Sequence, residues 1–162
     1  MLKAKYKIFT KESIIPVIAS WKKYGRIVFT NGCFDILHLG HVDYLEKARS
    51  LGDKLIVGMN TDGSVQRLKG SHRPIVTEDS RTIVMASLQF VDGVILFDES
   101  TPLELIKFLM PDVLVKGDDY TIDTIVGAKE VIENGGEVKT ISLVKGFSTT
   151  LIEKKIIESS KV

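Results

Sequence analysis

Residues 26–41 read RIVFTNGCFDILHLGH, and this stretch decides the fold. RIVFT (26–30) is a short β-branched run without polar interruption, the pattern of a strand covered on both faces, as in a parallel sheet. A glycine-bearing loop follows, and Gly40-His41 opens a helical pattern over 40–51 that stops at Gly52. A strand that runs through such a loop into a helix N-terminus is half of a βαβ unit.

The same alternation continues along the chain. Further strands are predicted at 54–59 (KLIVGM), 94–97, 112–116 (DVLVK) and 137–143. Helices fit at 78–88, 102–109, 124–134 and 149–158. An earlier helix fits between 13 and 24, with Pro16 acceptable only in its first turn. Thr101-Pro102-Leu103-Glu104 has the register of a capping box with an N1 proline. Asn134-Gly135-Gly136 reads as a helix stop and turn. No internal repeat, low-complexity tract or linker interrupts the pattern. The expectation is a single α/β domain over 26–162, Rossmann-like and doubly wound, around a mostly parallel five-stranded sheet. Residues 1–25 are expected to form a helical extension packing on it.

Composition agrees with this and narrows the function. The 162 residues suit one ordinary domain, and 44% hydrophobic with 27% charged residues is the balance of a globular protein. Lys+Arg 22 against Asp+Glu 21 argues against a nucleic-acid or anionic-membrane binder while permitting a local basic pocket. Cys33 has no intrachain partner, the first eleven residues lack a signal-peptide core, and no apolar run reaches the roughly 20 residues of a membrane helix. A cytoplasmic protein is expected.

In a doubly wound sheet, ligands bind where strand ends lead into helix N-termini. The loop after the first strand is the richest such place. Gly32 and Gly40 permit close backbone approach, and a helix N-terminus with about half a positive charge at Gly40-His41 suits a phosphate. His38 and His41 lie three apart, so both rings can face one bound group and stabilise charge on a phosphoryl group in transfer. Structural histidines are the plainer alternative. Zinc is disfavoured, because the only other histidine is His72 and there is no cysteine pair. Lys69-Gly70 lies in a loop with Arg67, His72 and Arg73 nearby; alone, it reads as a solvated basic loop. Lys116-Gly117 follows the fourth strand, with Asp118, Asp119 and Tyr120 next, and fits either an anion site or an ordinary turn. Ser148-Thr149-Thr150 opens the last helix, as a simple N-cap or a phosphate site. Arg81 falls in the first turns of a helix, reaching a ligand or lying on the surface. Asp35 and Asp62 follow the first two strand ends, orienting an acceptor or making Asx turns. Cys33 and Trp21 read as packing residues.

Residues 30–41, with the His-x-Gly-His core at 38–41, resemble the first signature of the cytidylyltransferase-like nucleotidyltransferases. The likeness continues through 48–74, 81–92 (RTIVMASLQFVD), 101–106, 111–120 (PDVLVKGDDY), 126–138 and 148–156. Together these segments resemble the D-glycero-β-D-manno-heptose 1-phosphate adenylyltransferases, in a stand-alone form rather than fused to a sugar kinase. The resemblance implies transfer of AMP from ATP to heptose 1-phosphate, with Mg²⁺ accompanying the nucleotide and no metal held by the protein alone. It implies that His38, His41, Lys69 and Lys116 are catalytic. Thr30, Asn31, Gly32, Cys33, Phe34, Gly40, Arg81, Gly117, Asp119, Ser148, Thr149 and Thr150 would bind the nucleotide, and Asp35, Asp62 and Tyr120 the acceptor. Relatives commonly dimerise, which implies a homodimer, and the family role lies in lipopolysaccharide core heptose synthesis. One departure is local: the family has two glycines before the aspartate at 119, and here Asp118 takes the second place. Rival readings are a cytidylyltransferase acting on glycerol 3-phosphate or ethanolamine phosphate, an FMN adenylyltransferase, and a nucleotide sensor without turnover.

Overall fold

The five apolar runs are strands of one sheet in the computed structural model, which describes residues 3–160. The expected boundaries at 1–2 and 161–162 lie outside the described residues. A 3-10 turn (Lys3–Lys7) precedes β1 (Ile8–Phe9) and α1 (Lys11–Trp21). The chain continues through β2 (Ile27–Gly32), α2 (Leu39–Arg49), β3 (Lys54–Asn60), α3 (Asp62–Lys69) and α4 (Glu78–Ala86). It ends with β4 (Gly93–Phe97), α5 (Leu103–Leu109), β5 (Val113–Gly117), a 3-10 turn (Ile122–Thr124), α6 (Ala128–Glu133), β6 (Glu137–Ile141) and α7 (Thr149–Ser159).

The sheet has six strands rather than five, in the order β1-β4-β3-β2-β5-β6, and every pairing is parallel. The additional strand comes from the segment expected to be only helical: Ile8 and Phe9 pair with Val94 and Ile95. Two residues carry too short a pattern to be read as a strand from sequence.

Strand side chains alternate between two cores, as the period of two requires. Val28, Val57, Val94 and Val113 pack with Leu45, Ala48, Met85 and Ala86 of α2 and α4. Phe29, Ile56, Ile95 and Leu114 face the other way, against Ile14, Leu105, Ile106 and Val131 of α1, α5 and α6. Burial on both faces explains why these strands read as unbroken apolar runs.

Three helices differ from expectation. α1 begins at Lys11 behind a Thr10–Ser13 capping box, so Pro16 falls in the second turn, on an exposed face. α5 begins one residue later than expected, with Pro102 in the cap position and no side-chain cap, so the Thr101–Glu104 box does not form. α6 is cut short because Gly127 is left-handed (φ 85°), and a Cβ there would come within 2.7 Å of the Ile106 side chain. A further helix, α3, occupies what the sequence suggested was a loop. Its signals are a Thr61 side chain accepting from the Ser64 N–H and a Gly70 C-cap at φ 97°.

The chain winds from β2 through β3 to β4 on one side, then crosses to β5 and β6 on the other. The direction of winding therefore reverses beside β2. The crevice this opens lies at the carboxyl ends of β2 and β5, where such sheets bind ligands.

Candidate active site

A cleft of about 580 Å³ opens at that point. Its floor is the loop from β2 to α2, its walls the loop after β5, the end of α3 and the start of α7. The floor loop is sharply bent: Phe34 and Ile36 are both left-handed, at φ 47° and 51°. That conformation is unusual for a β-branched residue and is held by surrounding contacts.

Two buried networks supply the contacts. Arg81 sits beneath the cleft, 3% exposed, and donates to the carbonyls of Val76 (2.9 Å), Cys33 (2.6 Å) and Asn60 (3.0 Å) and to the Asp62 carboxylate (2.7 Å). Asp35, also 3% exposed, accepts from the N–H groups of Ile75 (2.9 Å) and Val76 (3.0 Å) and from Arg73 (3.0 Å). Burial alone would raise the Asp35 pKa; the two backbone N–H groups and the Arg73 guanidinium outweigh it and hold the pKa below the usual range. Both residues clamp the loops that shape the site.

Above this floor His38 and His41 stack, with ring centroids 3.8 Å apart and planes 18° from parallel. His38 is the N-cap residue of α2 and gives no side-chain cap, which leaves the first N–H groups of the helix to a ligand. Phe34 meets the His41 ring edge-on at 5.3 Å. Gly40 is required between the histidines, because a Cβ would approach the His38 ring at 3.1 Å and the Phe147 Cβ at 3.3 Å. Burial, helped by the positive charge of His38 and Lys69, pushes the His41 pKa down to about 4, and burial lowers that of His38. His41 is thus a neutral hydrogen-bonding group at physiological pH.

Among the described residues, three buried side-chain atoms have no protein partner: Nδ1 of His38, Nδ1 of His41 and Oδ1 of Asn31. All three belong to residues lining the cleft. Buried polar atoms are nearly always satisfied, so three orphans in one cavity mark where a polar ligand completes the bonding.

The cations come from two sides. Lys116, at the end of β5, donates to the Asn31 carbonyl (3.2 Å) and lies 5.6 Å from the Tyr120 ring centroid. Burial pushes its pKa down to about 8, against the opposing pull of Asp119. Lys69 is the last residue of α3 and lines the cleft from the far wall. Its expected neighbours do not join it. Arg67 pairs with Asp98 at 2.9 Å, Arg73 is buried beneath, and His72 is exposed outside the cleft.

Most of the residues singled out from sequence line this one cleft: Asn31, Gly32, Cys33, Phe34, Asp35, His38, Gly40, His41, Lys69, Lys116, Gly117, Asp119, Tyr120 and Ser148 to Thr150. Three do not. Thr30 is fully buried, its hydroxyl bonded to Tyr44 Oη at 2.7 Å. Arg81 and Asp62 form the ion pair below the floor, so Arg81 is neither a ligand contact nor a surface residue. Two lining residues also carry structural hydrogen bonds that the sequence did not suggest. The Asp35 carboxylate accepts from three protein donors, two on Oδ2 and one on Oδ1, which tie it to the loop at Ile75 and Val76 and to Arg73. The Thr149 hydroxyl donates its proton to the Asp35 carbonyl at 2.7 Å and has none left for a phosphate. Ser148 accepts from the Leu151 N–H at 3.2 Å and keeps its own proton to give.

Asp118 takes its family glycine's place without distortion. Its φ is not positive, its N–H donates to the Ile141 carbonyl (3.0 Å), and its carboxylate accepts from Leu143 N–H (3.4 Å), outside the cleft lining. Tyr44, Asn60, Ser100 and the segment around Leu143 and Phe147 also line the cleft. Asn60 ends β3, so its place could have been found by searching every strand end; the others are set by packing alone.

No group of three or more histidine, cysteine, aspartate or glutamate residues able to hold a metal occurs among the described residues. The carboxylates lining the cleft are Asp35, which already accepts from three protein donors, and Asp119, which is exposed. A divalent cation that arrives on a triphosphate and keeps most of its waters fits that donor set.

A parallel doubly wound sheet, stacked histidines at a helix N-terminus and two lysines lining a cleft large enough for a nucleotide define a nucleotidyltransferase. Residues 29–162 match the cytidylyltransferase-like family, and the chain belongs to it. The chain is 53% identical over 153 residues to the bifunctional protein HldE of Koribacter versatilis, covering 93% of this chain and 32% of that one. Against HldE of a Marinomonas species the identity is 58% over 130 residues, covering 80% and 27%. The chain therefore spans about a third of the length of these curated relatives. A lipopolysaccharide core biosynthesis protein from Thermoplasma volcanium has 32% identity and a TM-score of 0.60, covering 76% of this chain and 99% of that one. The pantoate-β-alanine ligase of Francisella tularensis, at 16% identity and TM-score 0.61, shares the fold.

Proposed function

We propose that this domain transfers AMP from ATP to D-glycero-β-D-manno-heptose 1-phosphate, giving ADP-heptose and pyrophosphate in the cytoplasm. The observation that carries the reading is the convergence of His38, His41, Lys69, Lys116 and the start of α7 on one cleft whose buried imidazole nitrogens lack partners. The identity to HldE and to a lipopolysaccharide core biosynthesis protein supports the sugar-phosphate acceptor.

The acceptor phosphate is ionised at neutral pH, so no general base is needed. One of its oxygens attacks the α-phosphorus in line, the bond to the β-phosphate oxygen breaks, and pyrophosphate leaves with that electron pair. Catalysis is then alignment and charge stabilisation. The neutral imidazoles of His38 and His41 and the free N–H groups of α2 donate to the α- and β-phosphates. Lys116 and Lys69, on opposite walls, neutralise the nucleotide and acceptor phosphates. The first turn of α7, with the hydroxyls of Ser148 and Thr150, holds the outer phosphates. Mg²⁺ carried by the triphosphate supplies further charge neutralisation, with Asp119 the residue placed to hold one of its waters.

The test is pyrophosphate release with Mg²⁺, comparing ATP with CTP in the presence and absence of heptose 1-phosphate. Release that requires both ATP and the sugar phosphate is expected. Release with CTP, or with another phosphorylated acceptor only, would keep the mechanism and discard the substrate. Tight nucleotide binding with no release on any acceptor would mark a sensor.

A further inference from the structure

α7 is an eleven-residue helix with no buried residue. Of its hydrophobic side chains, Leu151, Ile156 and Ile157 are about half exposed and Ile152 alone is partly buried, so packing does little to fix where it lies. Yet its first turn is a wall of the cleft. Two polar ties hold it: the Thr149 hydroxyl on the Asp35 carbonyl, and Glu153 on Arg73.

Both ties end on the same small network. The Arg73 side chain is 8% exposed, and its guanidinium spans from the Asp35 carboxylate (3.0 Å) to Glu153. Asp35 in turn fixes the backbone of Ile75 and Val76 and sits between the left-handed residues Phe34 and Ile36 in the loop leading to His38. Asp35, Arg73 and Glu153 thus form one chain of charges joining the histidine-bearing loop to the helix opposite. Arg73 is not itself among the residues lining the cleft, and it reaches the lining only through Asp35. A planar guanidinium can bridge two carboxylates in fixed geometry, which an ammonium cannot do.

We infer that Arg73 and Glu153 are positioning residues for the transfer reaction: they latch α7 onto the histidine loop and so set the distance between the two ends of the triphosphate site. This rests on the reading of α7's first turn as the outer-phosphate site. Loosening the latch weakens nucleotide binding before it harms chemistry, because the histidines and Lys116 stand on other elements. It leaves the core intact, because neither face of the sheet depends on α7.

The experiment compares Glu153→Ala, Glu153→Gln, Arg73→Lys and Thr150→Val with wild type. The readouts are KM for ATP, kcat, thermal midpoint and hydrogen exchange of the α7 amides with and without ATP. Glu153→Ala is expected to raise KM for ATP about tenfold with kcat little changed, a shift that modest misplacement of a binding group produces. Its α7 amides should exchange faster than wild type and regain protection when ATP binds. Glu153→Gln, which keeps a hydrogen bond without the charge, should fall between, and Arg73→Lys should resemble Glu153→Ala. Wild-type KM and protection in Glu153→Ala, with KM raised in Thr150→Val, would overturn the latch and leave the phosphate site standing. Unchanged KM in Thr150→Val would remove the phosphate site and the latch with it. A loss of kcat and thermal stability at constant KM would make the network purely structural and also overturn the inference.

Discussion

Replacing Lys116 by methionine should move activity and stability in opposite directions. In the free protein this lysine is largely buried, with one hydrogen bond, to the Asn31 carbonyl. Burial displaces its pKa from the ordinary 10.5 to about 8. At 1.36 kcal/mol for each factor of ten in acidity, the charged form is disfavoured by about 3 kcal/mol relative to the unfolded chain. At pH 7 the group is nonetheless charged, so the fold carries most of that penalty. Methionine removes it, at a loss of about 1 kcal/mol for the hydrogen bond. A net gain of about 1–2 kcal/mol follows, or a few degrees in Tm for a chain of this size.

The sign with pH follows from linkage. Between about pH 8 and 10.5 the unfolded lysine holds its proton and the folded one does not, so wild-type stability rises with pH across that window. The deficit of wild type against Lys116→Met is therefore constant below pH 8 and closes by pH 10.5. Activity goes the other way: losing one preorganised charge at the reacting phosphate costs about 10²–10³ in kcat. In wild type, kcat/KM for ATP should fall above about pH 8 as the free enzyme's Lys116 loses its proton, while kcat holds to higher pH because bound phosphates keep it charged. Denaturant titrations from pH 6 to 10.5 and pyrophosphate-release kinetics read both. A variant that is less stable than wild type at pH 7, or active within a few-fold of it, would refute the reasoning.

His41→Ala should remain folded and lose about 10²–10³ in kcat, since one transition-state donor disappears; a few-fold loss would remove the role. By NMR, the His41 ring should stay neutral down to about pH 4 in the free protein and take up its proton at higher pH once ATP is bound, because phosphate charge favours the imidazolium. Arg81→Met should destabilise by about 3–5 kcal/mol in denaturant titrations, leaving the Asp62 charge unpaired and three carbonyls without their donor. Gly40→Ala should cost on the order of tenfold or more in kcat with little change in Tm, since the new methyl presses on the His38 ring rather than on the core.

The sequence by itself determined the alternation of strands and helices, because a sheet buried on both faces leaves unbroken apolar runs such as RIVF and LIVG that can be read without coordinates. It also determined where to look. Strand ends and helix starts are local features, and His38, His41, Lys116 and Ser148 stand at such places. Local reading failed where the signal was short or weak. The two-residue β1 has no periodicity, and α3 carries only Val65 and Leu68 as an apolar face, although its Thr61 cap and Gly70 stop were legible. What only the tertiary structure decided is which of the candidate side chains are held by hydrogen bonds within the protein itself. Asp35, Arg73, Arg81 and Thr149 have the chemistry of ligand-binding groups, and no spacing rule separates them from Lys69 or Thr150. Their side chains are bonded to protein partners up to 114 positions away, a fact that belongs to the folded chain and not to its order of residues.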